Sequence, residues 1–232
     1  MTIFYQEDIN KGVHQLSEED AKHCVQVLRK QKGDEIMVFD GKGGKHLSVL
    51  QEVSKKKCQF EVISSSATEK KSFSIHLAIA PTKNTDRMEW MIEKLSELGI
   101  DEITFLETHH SERRKLRMDR LEKKVISAMK QSGNPWKLKL NELTPLSQFI
   151  QGDDSECKIM GYLGNELRHL GQIIQPNQSV TILIGPEGDF SVSEVEEATQ
   201  NKFIPVSFGE TTLRTETAGL MACCCVNFIN QY

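Results

Sequence analysis

Two loops in the sequence combine glycine with charged residues directly after apolar segments. The first is GPEG at residues 185–188, which follows the aliphatic segment TILI, and the second is GETTLR at residues 209–214, which follows FIPVSF. Glycine lets the backbone approach a ligand closely, and Pro186 fixes the geometry of the first turn. Loops of this kind suit a backbone-lined pocket for a nucleoside-like molecule.

A phosphate-binding loop is not indicated. The chain contains neither GxxxxGK[ST] nor GxGxxG after a strand, and the glycine-rich DGKGGK at 40–45 is typical of a hairpin turn. The spacing of GPEG alone also leaves open a tight turn with no ligand.

From residue 73 onward, segments with strand and helix patterns alternate. We predict a strand at 73–80, a helix at 84–99 that ends at Gly99, and a helix from Ser191 with a capping box to Glu194. Further strands are predicted at EITFLE, CKIMGYL, TILI and FIPVSF, with a basic helix after the first of these and a final helix at the end. The alternation predicts an α/β fold with a mostly parallel sheet. Ligands bind at the carboxyl ends of such strands, where LGNE at 163–166 forms a third loop.

Residues 1–70 have a different pattern. A helix is predicted from Ser17 to Arg29, followed by short strands at 35–39, 46–53 and 58–63, which together indicate a small β-rich domain. The polar segment SSSATEKKS at 64–72 is predicted to be a linker. The predicted domains are therefore 1–70 and 71–232.

The composition is that of an ordinary soluble protein. Of 232 residues, 38% are apolar and 27% charged, and no run reaches the ~18 apolar residues of a membrane span. The N-terminus lacks the pattern of a signal peptide, so a cytoplasmic protein is expected. The six cysteines form no C-x-x-C pair, so neither a metal site nor a disulfide framework is predicted.

Positive charge is concentrated in one window. The net charge is −4, yet residues 109–140 hold ten Lys or Arg against three Asp or Glu. This window is either an RNA-binding surface or a solvated helix face.

Longer motifs add a family resemblance. The segments GPEGDFSVSE (185–194) and FGETTLRTETAGL (208–220), preceded by KNTDRMEWMIEKLSELGIDEI, SERR and KQSGN, resemble the bacterial 16S ribosomal RNA (uracil-N3)-methyltransferases of the SPOUT superfamily. The resemblance covers essentially the whole chain. It implies a C-terminal α/β domain with a trefoil knot, an N-terminal PUA-like β-barrel and a homodimer. It further implies S-adenosylmethionine bound in the knot and, as target, a uridine in the decoding region of the small ribosomal subunit.

The resemblance also implies a set of cofactor-binding residues in the three loops. These are Leu163, Gly164, Ile184, Gly185, Pro186, Glu187, Gly188, Phe208, Gly209, Leu213 and Thr215. The chain departs from the family pattern at Asp189, at Glu210–Thr212 and at Asn134, which puts the finer RNA contacts in question.

The chemistry of N3 methylation indicates catalytic candidates. Uridine must lose its N3 proton, and negative charge gathers on the ring oxygens, so Arg214 is predicted to stabilise that charge. Glu216 or Glu187 could accept the proton, or either could serve a structural role by capping a helix or orienting Arg214. Arg214 could instead form a structural ion pair with Glu210 or Glu216.

Basic and polar residues on the predicted helices and loops are expected to hold RNA while the uridine is extruded. They are Arg29, Lys83, Arg87, Lys94, Ser111, Arg113, Arg114, Arg117, Arg120, Lys124 and Gln131. The apolar last helix, with its small residues Ala218, Gly219 and Ala222, suits the implied two-fold dimer. Two alternatives remain open: a SPOUT enzyme acting on transfer RNA or a ribose 2′-hydroxyl, and a non-catalytic RNA-binding assembly factor.

Overall fold

The chain divides into two compact units. A computed structural model describes residues 2–113, 115–164 and 167–231. The first unit contains the residues up to Lys70 together with Ile126–Lys137, and the second contains Lys71–Val125 and Leu138 onward. The segment 126–137 was not expected in the first unit. It joins that unit because Gly43 N–H donates to the Pro135 carbonyl at 3.1 Å and Lys137 N–H donates to the Gly41 carbonyl at 2.9 Å.

The N-terminal part of the first unit contains a four-stranded sheet and an α-helix. Its strands are β1 (Ile3–Tyr5), β2 (Glu35–Phe39), β3 (Gly44–Val53) and β4 (Cys58–Ala67), in that order across the sheet. Helix α1 (Glu18–Gln26) begins at Ser17, whose side chain accepts the Asp20 N–H, as predicted. The helix ends at Gln26, earlier than predicted, and Arg29 lies outside it with a positive φ of 54°. The core contains Phe4, Ile36, Leu50 and Phe60.

The predicted linker at 64–72 is wrong in its first residues. Strand β4 continues through Ala67, and residues 64–67 pair with residues 44–47 of β3. The side chains of this stretch are exposed, so polar residues are tolerated while the backbone ladder continues. Ser65 Oγ also hydrogen-bonds His46 Nδ1 at 2.8 Å.

The second unit is built on a seven-stranded sheet in which every pair is parallel. Its strands are β5 (Ile75–Ile79), β6 (Glu102–Glu107), β7 (Lys139–Pro145), β8 (Cys157–Gly161), β9 (Arg168–His169), β10 (Val180–Ile184) and β11 (Ile204–Ser207). They lie in the order β7-β6-β5-β10-β8-β11-β9. The predicted parallel α/β sheet is confirmed.

Helices cover both faces of this sheet. They are α2 (Thr85–Glu97), α3 (Met118–Ser132), α4 (Leu146–Gly152), α5 (Val192–Gln200) and α6 (Thr215–Gln231). Along β10, Ile182 and Ile184 pack into the core shared with α2 and α6, while Leu183 between them packs into the core under α4 and α5. Both faces are apolar because successive strand residues point to opposite sides and both sides are buried. The boundary between the two units falls inside α3.

Several predicted helix ends are confirmed. Helix α2 begins at Asn84, whose side chain accepts two backbone N–H groups, and Gly99 beyond its end has a φ of 70°. Strand β7, helix α4 and the two-residue β9 were not predicted; the sequence of β7, KLNELTP, is too polar to stand out as a strand. The trefoil knot stays a prediction. In the part of the chain that the structure describes, no helix is long and apolar enough to cross a membrane.

Candidate active site

A pocket of about 250 Å³ lies at the carboxyl ends of β8, β10 and β11. Its walls come from the loops that follow these three strands and from the first residues of α6. The lining residues are Gly161, Tyr162, Leu163, Ile184, Gly185, Pro186, Glu187, Asp189, Ser207, Phe208, Gly209, Thr211, Thr212, Leu213, Arg214, Thr215 and Ala218. The loops predicted to form a ligand site therefore meet in one place.

Nine of the eleven residues predicted to bind a cofactor line this pocket; Gly164 and Gly188 do not. A Cβ on Gly188 would lie 3.2 Å from Cβ of His110, so this glycine makes room for the loop after β6 rather than for a ligand. Gly161, Tyr162 and Asp189 also line the pocket and were not predicted. Gly161 and Tyr162 lie near the end of the predicted strand CKIMGYL, and that position could have identified them as pocket residues.

Two glycines allow the aromatic packing that shapes the pocket. A Cβ on Gly161 would lie 2.4 Å from Cε2 of Phe208, a distance that real structures do not show. A Cβ on Gly185 would lie 3.2 Å from Cδ2 of Phe190 and 3.3 Å from Oδ1 of Asp189. Side chains therefore pack directly against the backbone at Gly161 and Gly185.

The GPEG segment forms a tight turn that leads into α5. Asp189 N–H donates to the Pro186 carbonyl at 3.0 Å, which closes the turn. The predicted capping box is confirmed: Ser191 accepts the Glu194 N–H, and the Glu194 carboxylate accepts the Ser191 N–H at 2.8 Å. The turn and the helix start are thus fixed by local hydrogen bonds.

Arg214 is an exposed side chain on the wall of the pocket. The alternative of an ion pair with Glu210 or Glu216 is not realised, and the guanidinium contacts no acidic side chain among residues 2–113, 115–164 and 167–231. An unpaired guanidinium at the edge of a pocket is available to a ligand.

Glu216 has a different environment. It is 6% exposed, its Oε1 lies 3.6 Å from Nε of Arg87, and it does not line the main pocket. The structure thus favours the structural alternative for Glu216, and it gives Arg87 an internal partner. Glu187 is exposed, lines the pocket and accepts the Lys83 N–H at 3.4 Å.

Many of the residues predicted to bind RNA form ion pairs within the second unit. Arg120 and Lys124 of α3 pair with the buried Glu89 of α2, and Lys124 also approaches Glu93 at 4.0 Å. Other pairs are Lys83 with Glu112, Lys94 with Glu93 and Glu97, and Arg117 with Asp119. The basic window therefore serves partly to join α2 and α3.

The prediction that Ser111 binds RNA needs a correction. This residue is buried, and its Oγ accepts the Thr108 N–H at 3.0 Å, so the hydroxyl is not available to RNA. The Arg113 guanidinium donates to the Lys83 carbonyl. Arg114 lies outside the described residues. Arg29 and Gln131 are exposed on the first unit.

We expect Arg120→Ala to lower the free energy of unfolding by about 1–2 kcal/mol, because it removes the closest cation from the buried Glu89 carboxylate. The matched control is Arg117→Ala, whose partner Asp119 is exposed, and it should cost less than about 0.5 kcal/mol. Urea denaturation of the three proteins measures both values. Equal stability of the two variants would show that the Arg120–Glu89 ion pair contributes no more than the exposed Arg117–Asp119 pair.

Comparison with known proteins identifies the family. The profile described as an RNA methyltransferase domain matches residues 68–227, and an RNA methyltransferase PUA domain matches residues 16–63. The chain belongs to the RNA methyltransferase family. This membership confirms the predicted methyltransferase. The match to the PUA domain confirms the PUA-like character expected of the N-terminal part.

Similar proteins support this membership over the full length. A probable rRNA-methyltransferase from Porphyromonas gingivalis is 39% identical, with a TM-score of 0.94 and coverage of 100% of this chain and 99% of the other. A Neisseria gonorrhoeae ribosomal RNA small subunit methyltransferase E, solved bound to S-adenosyl methionine, is 28% identical, with a TM-score of 0.89 and coverage of 99% and 98%. The Bacillus subtilis ribosomal RNA small subunit methyltransferase E is 26% identical, with coverage of 90% and 88%.

The pocket of this RNA methyltransferase fits S-adenosylmethionine, which supplies an electrophilic methyl group when bound. Ile184, Phe208 and Leu213 give apolar surface suited to an adenine ring. The Glu187 carboxylate suits ribose hydroxyls or the positive groups of the cofactor. The family and its S-adenosylmethionine-bound members confirm the predicted cofactor. Among the described residues, no group of three His, Cys, Asp or Glu side chains could hold a metal ion.

Proposed function

We propose that this enzyme methylates N3 of a specific uridine in 16S ribosomal RNA of the small subunit, giving 3-methyluridine. The observation that carries the proposal is the unpaired Arg214 guanidinium on the wall of the cofactor pocket. Relatives named small subunit methyltransferase E support the choice of RNA. The motifs GPEGDFSVSE and FGETTLRTETAGL support N3 of uridine as the target.

Arg214 stabilises the charge that develops on the uracil. The N3 proton must leave before or as N3 attacks, and the negative charge spreads to the two ring oxygens. A guanidinium presents a planar set of N–H donors to such oxygens and stays protonated at neutral pH. Arg214 is free to turn toward the base because no carboxylate of the described chain holds it.

Glu187 is the better placed of the two carboxylates to accept the N3 proton. It is exposed on the pocket wall, whereas Glu216 is buried beside Arg87 and lies off the main pocket. Glu216 in this proposal orients Arg87 near the start of α2. Leu163, Ile184, Phe208 and Leu213 supply the apolar walls that limit access of water.

RNA is held by basic and polar residues that pair with no carboxylate among the described residues. Arg29 and Gln131 are exposed on the first unit, and the half-buried Arg113 donates to the Lys83 carbonyl. The PUA domain match supports a role of the first unit in RNA binding.

We also propose a homodimer formed through α2 and α6, in the cytoplasm where small subunits are assembled. These two helices pack together and leave the apolar side chains of Trp90, Met221 and Phe228 45%, 43% and 66% exposed. Light scattering should give about twice the chain mass of 26.3 kDa. Phe228→Glu should shift the protein toward monomer; an unchanged dimer would exclude this face.

The test of the function compares nucleosides from ribosomal RNA of cells with and without the gene. Loss of 3-methyluridine from 16S rRNA, restored by the wild type but not by Arg214→Ala, is expected. Loss of a methylated nucleoside from transfer RNA, or of a 2′-O-methylated one, would contradict the proposed target. No change in any methylated nucleoside would favour a non-catalytic assembly factor.

A further inference from the structure

Asp189 links three of the loops at the carboxyl edge of the sheet. Its Oδ2 accepts the Leu163 N–H at 3.1 Å, from the loop after β8. Its carbonyl oxygen hydrogen-bonds His110 Nδ1 at 2.9 Å, from the loop after β6. Asp189 itself follows β10 and lines the cofactor pocket. One residue therefore connects the ends of β6, β8 and β10.

The backbone of Asp189 is in a conformation that favours glycine. Its φ is 57°, in the left-handed region, which Asp tolerates but glycine adopts without a steric penalty. Both carboxylate oxygens nevertheless have defined partners, because Oδ1 accepts the N–H of Phe190 at 2.8 Å. The side chain thus supplies contacts that glycine at this position lacks.

At the start of the Leu163 loop, Tyr162 N–H donates to the Val206 carbonyl at 3.2 Å, and Leu163 N–H donates to the Asp189 carboxylate. The Leu163 side chain is 62% exposed, so apolar packing does not hold it. The hydrogen bond from its backbone to the Asp189 carboxylate is therefore a main restraint on this wall of the pocket.

We propose that Asp189 is a positioning residue that holds the Leu163 loop in the geometry required to bind S-adenosylmethionine. The Leu163 backbone is held in place before the cofactor arrives, so less freedom is lost on binding. The inference rests on the proposed function only in taking the pocket as the S-adenosylmethionine site.

Two variants separate the side chain from the backbone. Asp189→Gly removes both side-chain acceptors, so the dissociation constant for S-adenosylmethionine should rise roughly tenfold. It also relieves the left-handed backbone, so the unfolding midpoint should not fall. Asp189→Asn keeps the preference for positive φ but offers one carbonyl oxygen to two donors, so a smaller rise of about threefold is expected.

The matched control is Lys202→Gly. Lys202 also has a positive φ, of 71°, but it lies just beyond the end of α5 and does not line the pocket. This variant relieves the same kind of backbone strain, so it should leave the affinity for S-adenosylmethionine unchanged.

Calorimetry with S-adenosylmethionine, thermal unfolding and hydrogen exchange of the cofactor-free proteins form the experiment. Faster exchange of the Leu163 N–H in Asp189→Gly, with weaker cofactor binding and an undiminished midpoint, supports the proposal. Unchanged S-adenosylmethionine affinity in Asp189→Gly overturns the proposal. Weaker affinity together with a lower unfolding midpoint also overturns it, because that result indicates general destabilisation. A wild type that fails to bind S-adenosylmethionine rejects the pocket assignment itself, and the Asp189 proposal with it.

Discussion

Arg214→Ala is expected to slow methyl transfer by on the order of 10²-fold or more, the typical loss when one donor to a developing negative charge is removed. Affinity for S-adenosylmethionine should stay within a few-fold of wild type, because loop backbone and apolar side chains form most of the pocket. Single-turnover rates at saturating RNA and cofactor measure the chemical step without contributions from binding or product release.

Arg214→Lys is the informative companion to this variant. A lysine keeps the charge but presents a point charge on a flexible stem instead of a planar group of donors, so it should recover little of the rate. A near-normal single-turnover rate for the alanine variant would refute the catalytic role of Arg214.

Gly185→Val is expected to weaken S-adenosylmethionine binding by at least about 30-fold, which corresponds to about 2 kcal/mol. The new Cβ would lie 3.2 Å from the Phe190 ring and 3.3 Å from Asp189 Oδ1, and the two methyl groups beyond it need still more space at the pocket wall. Isothermal titration calorimetry gives the affinity directly.

Gly152→Val is the control for this substitution. A Cβ at Gly152 would meet nothing within 4 Å, and this residue, at the end of α4, does not line the pocket. Its cofactor affinity should equal that of the wild type. Equal affinities for the wild type and the Gly185 variant would remove Gly185 from the binding site.

Periodicity and spacing predicted buried strands and helix starts, because these depend mainly on the residues of the segment itself. The apolar segments IHLAI and VTILI became the buried parallel strands β5 and β10, and the loops after β8, β10 and β11 met at one edge because parallel strands end on the same side. Local hydrogen-bond signals at Ser17, Asn84 and Ser191 marked the helix starts.

Contacts between distant segments were not predictable in this way. Whether Arg120 faces solvent or Glu89 depends on how α3 packs against α2, and its charge alone is equally compatible with RNA binding. The burial of Ser111 depends on Thr108 in a loop without periodic pattern. Strand β4 continues through SSSA because β3 supplies the partner backbone, whatever the side chains are.

The segment 126–137 has a consequence for synthesis of the protein. The first unit is completed by backbone hydrogen bonds from Pro135 and Lys137 to the turn at residues 41–43, yet these residues come 65 and 67 positions after Lys70. At about 5–20 residues per second, translation reaches Pro135 and Lys137 roughly 3–13 s after Lys70. During that interval the first unit is incomplete, and the turn at 41–43 lacks its backbone partners.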